Sequence, residues 1–262
     1  LQALAIDADG ARLELAGGAV LRAELVVGAD GAASSVRSML KLEVIAADYG
    51  QRAIVGTVQV ARAHHQVAYQ RFLSTGPLAL LPLPGDACSI VWSATAARAG
   101  ELLALSPEAF SAALTTASDH VLGTLTLQGE RGAFPLRRLH ATRYVAPRVA
   151  LVGDAAHVIH PLAGQGVNQG FEDAASLAAA LSQRPPRESV GATDALRRYE
   201  RERRAGNALV GSVVDGLDRL FTGAGPLVGW AAKTGMALVG RSGVARRLLV
   251  SRAAAGRSSP RR

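Results

Sequence analysis

The fold is decided by one stretch of the chain, RVALVGDAAHVIHPLAGQGVNQG at residues 148–170. Its apolar opening predicts a buried β-strand that ends at Gly153 and Asp154. A glycine-rich loop and then a helix from about residue 166 to residue 181 follow. A carboxylate at a strand end can bind the hydroxyls of a polyol or ribose, and a helix N-terminus binds partial negative charge. The stretch therefore predicts an α/β fold with a ligand site at one sheet edge.

A second strand that breaks at glycine and aspartate lies upstream, in VVGADGAASSVR at residues 26–37. It closes a predicted β-meander over residues 3–28 and precedes a short helix. Taken alone, these residues form a turn before a helix as readily as a binding loop. Asp30 and Gly31 are the candidate functional residues here.

The remaining elements are predicted from turn and cap signals. Short β-type runs separated by Gly and Pro predict an antiparallel sheet over residues 52–93, continued by runs at 125–127 and 133–136. Its apolar residues, among them Trp92, fit either a roof over a ligand or an ordinary core. Ser106 and Pro107 predict a helix start, Thr193 is expected to cap a long charged helix, and residues 225–253 read as amphipathic helices. The helix after residue 166 has an apolar stripe at Val167, Phe171, Ala174, Ala178 and Leu181.

Composition narrows the class of protein. The chain has 262 residues, 49% of them hydrophobic and 19% charged, which is typical of a globular protein. It lacks the run of about 18 apolar residues that a spanning helix needs. The single cysteine, Cys88, excludes an internal disulfide framework and a Cys-ligated zinc or iron–sulfur site, and favours a reducing, cytoplasmic compartment. The net charge of +8 comes without a nucleic-acid motif, so no nucleic-acid partner is expected.

Three other kinds of site are weighed at residues 153–170. Asp154, His157 and His160 are spaced like metal ligands, but Pro161 and the glycines interrupt the helix that this spacing needs, and no metal is expected. The glycines from Gly164 onward lack the Gly-x-Gly-x-x-Gly spacing of a dinucleotide fingerprint. The chain has no Gly-x-Ser-x-Gly, so a serine hydrolase is not predicted.

Residues 160–173, HPLAGQGVNQGFED, resemble the signature of the ubiquinone-biosynthesis hydroxylases. With the upstream motif, in the same order, they resemble the FAD-dependent aromatic hydroxylases of the p-hydroxybenzoate hydroxylase type, the group A flavoprotein monooxygenases. Residues 72–82, 134–136 and 215–221 are similar to the same subfamily. The resemblance covers roughly residues 20–250.

The resemblance implies roles for individual residues. Asp30 and Gly31 would lie near FAD and the path of the nicotinamide nucleotide, with Arg37 as support. Gly153 and Asp154 would hold the ribityl chain. At the flavin ring the implied residues are Pro161 beside the isoalloxazine, Gly164 in the loop, and the N–H groups of Gly166, Val167 and Asn168 at the N1 and O2 edge. The flavin would carry the chemistry, so no catalytic side chain is expected.

The implied fold is a partial FAD-binding Rossmann-type domain with an inserted antiparallel substrate sheet and C-terminal helices. We expect the partial FAD-binding domain to consist of residues 1–50 and 141–185, with the substrate sheet at residues 51–140 inserted between them. C-terminal helices and a tail are expected at residues 186–262. The pyrophosphate-binding Gly-x-Gly-x-x-Gly does not occur. We therefore expect an N-terminal part to be missing and the chain to be inactive on its own.

The implied function is hydroxylation of an aromatic ubiquinone precursor, a polyprenylated phenol, with NAD(P)H and O2. The amphipathic, basic segment at residues 225–253 fits a peripheral contact at the inner face of a membrane, which would suit such a substrate, and it fits a core-facing helix or a subunit interface equally. A multi-enzyme ubiquinone-biosynthesis complex is a further expectation. Two alternatives stay open. One is a flavin-dependent reductase or halogenase of the same architecture, and the other is a non-catalytic protein that uses the fold to bind a lipid or a partner.

Overall fold

The computed structural model describes residues 1–7, 9–159 and 166–218. The described residues divide into two compact units, the first made of residues 1–49 and 137–215, the second of residues 50–136 and 216–218. The strands are β1 (Ala3–Ile6), β2 (Ala11–Glu14), β3 (Val20–Ala23), β4 (Val26–Gly28), β5 (Val44–Val60), β6 (Tyr69–Leu73), β7 (Gly76–Pro82), β8 (Ala87–Thr95), β9 (Leu125–Ala141), β10 (Val145–Ala146), β11 (Val149–Leu151) and β12 (His157–Val158). The helices are α1 (Ser35–Met39), α2 (Ala96–Ala104), α3 (Pro107–Ala117), α4 (Gly166–Ser182) and α5 (Thr193–Asp218).

The first unit contains two small sheets. β1, β2 and β3 form an antiparallel meander, and the second sheet has the order β10-β11-β4. The prediction of one meander over residues 3–28 is wrong for its last strand, because β4 pairs with β11 and not with β3. In the second sheet β11 runs parallel to β4, with Leu151 opposite Gly28. The core beside it is mostly apolar, and the buried hydroxyl of Tyr199 donates a 2.6 Å hydrogen bond to the Leu151 carbonyl. This bond anchors α5 to β11, because a buried hydroxyl without a partner would cost free energy.

The second unit is the antiparallel sheet that the turn spacing predicts. Its strands lie in the order β9-β5-β8-β7-β6. Trp92 is 3% exposed and lies 6.0 Å from the Phe110 ring, in a core that α2 and α3 share with the sheet. In this unit Trp92 is therefore a core residue. β9 is one continuous strand where the sequence predicts two runs, and α2 has no counterpart among the predicted elements.

The start of α3 confirms the predicted cap. The Ser106 Oγ accepts a 3.2 Å hydrogen bond from the Ala109 N–H, and Pro107 occupies the first helical turn. Within the described residues, no helix is both long enough and apolar enough to cross a lipid bilayer.

Replacing Ser106 with alanine removes this cap. We expect Ser106→Ala to lower the free energy of unfolding by about 1 kcal/mol, the usual worth of an N-cap side chain. Urea denaturation measures the loss, and Ser106→Asp, which can still accept the hydrogen bond, is the control. Equal stability of the alanine variant and the wild type would show that solvent replaces the cap at no cost.

Candidate functional site

The two segments that end in aspartate meet at one edge of the β10-β11-β4 sheet. We call residues 28–31 the first Asp turn and residues 153–155 the second Asp turn. Because β4 and β11 are parallel neighbours, both turns leave the sheet at the same edge. The Val152 N–H donates to the Gly28 carbonyl at 3.0 Å, which continues the pairing to the turns themselves. In parallel α/β sheets this carboxyl-end edge is where ligands bind.

The first Asp turn is built around a carboxylate that caps a helix. One oxygen of Asp30 accepts hydrogen bonds from the N–H groups of Ser35 at 2.7 Å and Val36 at 3.1 Å. Burial acts against ionisation, yet hydrogen bonds from Ser34, Val36 and Ser35 outweigh it and lower the pKa of Asp30. Gly31 has a φ of +80°, a conformation that favours glycine. This turn is therefore held by its own helix.

The depressed pKa of Asp30 makes its contribution to stability depend on pH. A carboxylate with a lowered folded pKa stabilises the fold above its unfolded pKa of about 3.9, and the gain is lost as the pH falls through the folded value. We expect Asp30→Asn to be less stable than the wild type at pH 7, with the difference shrinking in acid. Urea denaturation across this range measures the difference, with exposed Asp86→Asn as the control. A difference independent of pH would contradict a role for the charge.

Arg37 joins the two Asp turns. Arg37 is 7% exposed, and its guanidinium donates to the Ala32 carbonyl at 2.6 Å and to the Ala155 carbonyl at 2.8 Å. Burial lowers the pKa of Arg37, and the nearby carboxylate of Asp30 partly offsets this. The side chain that the sequence analysis assigned a supporting role thus contacts backbone on both sides of the site.

The second Asp turn presents its carboxylate outward. Residues 153–155 form one turn of 3₁₀ helix, in which Gly153 has a φ of +58°. Asp154 is exposed, and its carboxylate accepts no hydrogen bond from another residue in the described ranges. α4 approaches closely at Gly170, where an added Cβ would lie 3.5 Å from the Cα of Gly153. The turn therefore offers an acceptor next to the first turns of a helix.

The N-terminal turn of α4 supplies backbone donors. Gly166, Val167 and Asn168 begin the helix, and Val167 is 68% exposed. A Cβ added to Gly166 would meet no described atom within 4 Å, so there is open space beside this residue. The first N–H groups of a helix lack intrahelical partners and carry partial positive charge. Pro161 and Gly164, also assigned to the site from sequence, lie outside the described residues.

The predicted apolar stripe of α4 is wrong, although the helix itself is confirmed. Val167 and Phe171 are 68% and 69% exposed. The buried face carries Gln169, Asp173, Ser176, Leu177 and Ala180 instead. Polar side chains are buried here because α5 supplies them with hydrogen-bond partners, which a count of apolar residues does not register.

The centre of this buried face is Asp173, which is 0% exposed. It accepts a 2.6 Å hydrogen bond from His157 and a 2.7 Å hydrogen bond from Arg203 of α5. Burial opposes ionisation of Asp173, but the hydrogen bonds from His157 and Arg203 outweigh it and lower its pKa. Neither Asp173 nor Arg203 was predicted from sequence to belong to the site. The position of Asp173, as the last residue of the 160–173 signature, was the one sequence feature that could have pointed to it.

Comparison with protein families gives one match that covers most of the chain. A model described as "FAD binding domain" matches residues 5–211. Among solved structures, PqsL, a probable FAD-dependent monooxygenase from Pseudomonas aeruginosa, has a TM-score of 0.68 and 31% identity over 84% of this chain and 63% of that one.

Curated relatives are similar over nearly the whole chain. Ubiquinone hydroxylase UbiL of Rhodospirillum rubrum is 42% identical over 255 residues, which are 97% of this chain and 59% of the relative. The 3-demethoxyubiquinol 3-hydroxylase of Escherichia coli is 39% identical over 240 residues, 91% of this chain and 61% of the relative. The chain thus spans about three fifths of the length of these relatives.

Proposed function

Because the chain belongs to the FAD-binding domain family, we propose that it forms the flavin-proximal part of an NAD(P)H- and O2-dependent aromatic hydroxylase. The proposed substrate is a polyprenylated phenol, a ubiquinone precursor. Its support is that relatives at 42% and 39% identity are named as a ubiquinone hydroxylase and a demethoxyubiquinol hydroxylase.

One observation carries the proposal. Two Asp turns leave adjacent parallel strands at the same edge, Arg37 ties them together, and the carboxylate of Asp154 faces outward from this edge. A carboxylate accepts hydrogen bonds from the hydroxyls of a ribityl chain. The N-terminal turn of α4 provides donors suited to a ring edge that gains negative charge on reduction.

The donor set fits the flavin end of FAD. Added Cβ atoms at Gly31 and Gly166 would both extend into open space, so the backbone at these two positions is accessible to a ligand. The 262 residues contain no Gly-x-Gly-x-x-Gly, the usual binding sequence for the pyrophosphate. We therefore assign the ribityl and ring contacts to this chain and the pyrophosphate contacts to residues outside it.

The residues have positioning and electrostatic roles. Bound FAD supplies the redox and oxygen chemistry, which side chains cannot. Asp154 orients the cofactor, and the α4 N-terminus stabilises negative charge on the ring without a protonated side chain. Asp30 and Gly31 shape the neighbouring turn, where the nicotinamide nucleotide would approach. Pro161 and Gly164 keep the roles implied by the resemblance, beside the ring.

The absorbance spectrum of the purified protein tests the proposal. The 262-residue chain should be compared with a version extended to the length of the relatives. Bound oxidised flavin in the extended version, with NAD(P)H consumption that yields a hydroxylated phenol, is the expected result. NAD(P)H oxidation without hydroxylated product would favour the reductase or halogenase. A protein without flavin would favour the non-catalytic binding protein and overturn the proposal.

The location and partners of the protein are part of the proposal. A cytoplasmic protein in peripheral contact with the inner face of a membrane suits a polyprenylated substrate. Its support is the excess of late arginines, which attract anionic lipid. The multi-enzyme ubiquinone-biosynthesis complex stays a prediction.

A further inference from the structure

A buried carboxylate lies directly beneath the second Asp turn. Asp173 accepts four hydrogen bonds with both oxygens engaged. Oδ2 accepts from His157 Nε2 at 2.6 Å and from the Gly153 N–H at 2.9 Å. Oδ1 accepts from Arg203 Nε at 2.7 Å and from Asn207 Nδ2 at 3.2 Å. The carboxylate therefore connects the second Asp turn to α5.

The two groups that donate to Oδ2 belong to residues on either side of Asp154 in the sequence. Gly153 directly precedes Asp154, and His157 follows it by three residues. One oxygen atom thus fixes the chain on both sides of the exposed carboxylate. The His157 ring is also stacked on Tyr144 at a centroid distance of 5.8 Å, which limits its freedom to move.

Arg203 holds the Asp173 carboxylate in place, because the Arg203 side chain is itself fixed by several hydrogen bonds. Its guanidinium donates to Glu172 at 2.8 Å, to the Gln169 side chain at 2.8 Å and to Asn207 at 2.9 Å, besides the bond to Asp173. A buried charge held by several directed donors has little freedom to rotate. Asp173 is thus a rigid support and not a mobile surface group.

We propose that Asp173 is a positioning residue that orients Asp154 toward the cofactor, by holding Gly153 and His157 on one carboxylate oxygen. The proposal rests on the proposed function, in which Asp154 binds the ribityl chain of FAD. Asp173 is fully buried and would not itself contact the cofactor. Its effect is transmitted through the backbone of the second Asp turn.

A double-mutant cycle on FAD affinity tests the proposal, using the version of the protein extended to the relatives' length. Asp173→Asn keeps the shape but removes the charge, so the turn is held less firmly. We expect FAD affinity to fall about tenfold, since small misplacements of binding groups have large effects. In the Asp154→Ala background the same change is expected to alter affinity by less than about twofold, because the group that it positions is gone.

The readouts separate positioning from a loss of fold. FAD affinity is measured by fluorescence quenching well below the unfolding temperature, and the visible circular dichroism of bound flavin reports its surroundings. The control is Ser176→Ala, which removes a partly buried 3.0 Å hydrogen bond from α4 to Glu202 of α5. Ser176 makes no hydrogen bond to the second Asp turn in the described residues. It is expected to lower stability and leave FAD affinity unchanged. Should Asp173→Asn fail to fold, Arg203→Lys enters the same cycle.

Equal losses of affinity in both backgrounds would overturn the proposal, since Asp173 would then act on the fold as a whole. Unchanged affinity and dichroism in Asp173→Asn would overturn it as well. If the unmutated protein takes up no FAD, the proposed function fails first, and the two failures are thereby distinguished.

Discussion

Replacing Asp154 with alanine, in a version of the protein that takes up FAD, is expected to lower FAD affinity by about tenfold to a hundredfold. The carboxylate is exposed at the end of a parallel strand pair and is bound by no other side chain in the ranges that the structure describes. A hydrogen bond to a charged group contributes about 1.5–3 kcal/mol, and ribityl hydroxyls would lose such an acceptor. Little stability should be lost, because no residue that the structure describes binds this carboxylate.

Equilibrium titration with FAD and urea denaturation of the cofactor-free protein measure the two quantities separately. Asp154→Asn, which keeps one acceptor oxygen, should lose less affinity than the alanine variant. Asp86→Ala removes an exposed carboxylate in the second unit and serves as the control for charge alone. Wild-type affinity in Asp154→Ala would remove the second Asp turn from the proposed site.

The two Asp turns could be predicted one by one, but not as neighbours. An apolar run followed by glycine and aspartate is a local signal, and both runs form strands. β4 ends at Gly28, whereas β11 ends at Leu151, two residues before the predicted Gly153. Their adjacency depends on the parallel pairing of β4 with β11, between segments far apart in the chain. The bond from Arg37 to Ala155 spans 118 residues. Local sequence spacing cannot predict a contact between residues so far apart in the chain, so the role of Arg37 could be implied only by resemblance.

The network around Asp173 shows a second limit of sequence patterns. The apolar residues of α4 suggest one buried face, but Val167 and Phe171 are exposed. Asp173 can be buried because Arg203 of α5 supplies a hydrogen-bond donor that a buried carboxylate requires. Hydrophobic periodicity therefore places in solvent the same polar side chains, such as Asp173 and Arg203, that are buried beside the candidate site.

The full length of strand β9 and the existence of helix α2 were not predicted, because glycines within both elements are typical of breaks. Gly129 and Gly132 lie between the two predicted runs, yet β9 continues through both, and Gly129 adopts a φ of +71° within it. α2 begins after Thr95, whose hydroxyl accepts from the Arg98 N–H at 3.3 Å. Gly100 inside that helix masks its pattern, because glycine is a poor helix former.

Arg37→Ala is expected to have the largest effect on stability. The change removes two charge-assisted hydrogen bonds made by the guanidinium of a residue that is 7% exposed, and leaves the carbonyls of Ala32 and Ala155 without this donor. At about 1.5–3 kcal/mol for each such bond, and allowing for water at the exposed end, we expect a loss of about 3 kcal/mol in the free energy of unfolding. Urea denaturation measures this loss, and exposed Arg22→Ala is the control for removing an arginine.

The same change should release one Asp turn from the other, so FAD uptake is expected to fall together with stability. Arg37→Lys keeps the charge, but an ammonium cannot span two carbonyls as the planar guanidinium does. It should therefore recover only part of the stability, and less of the FAD affinity, since affinity requires both turns to be in place. If Arg37→Lys bound FAD like the wild type, the distance between the two turns would not matter to the cofactor. Asp154 would then act without help from the first Asp turn.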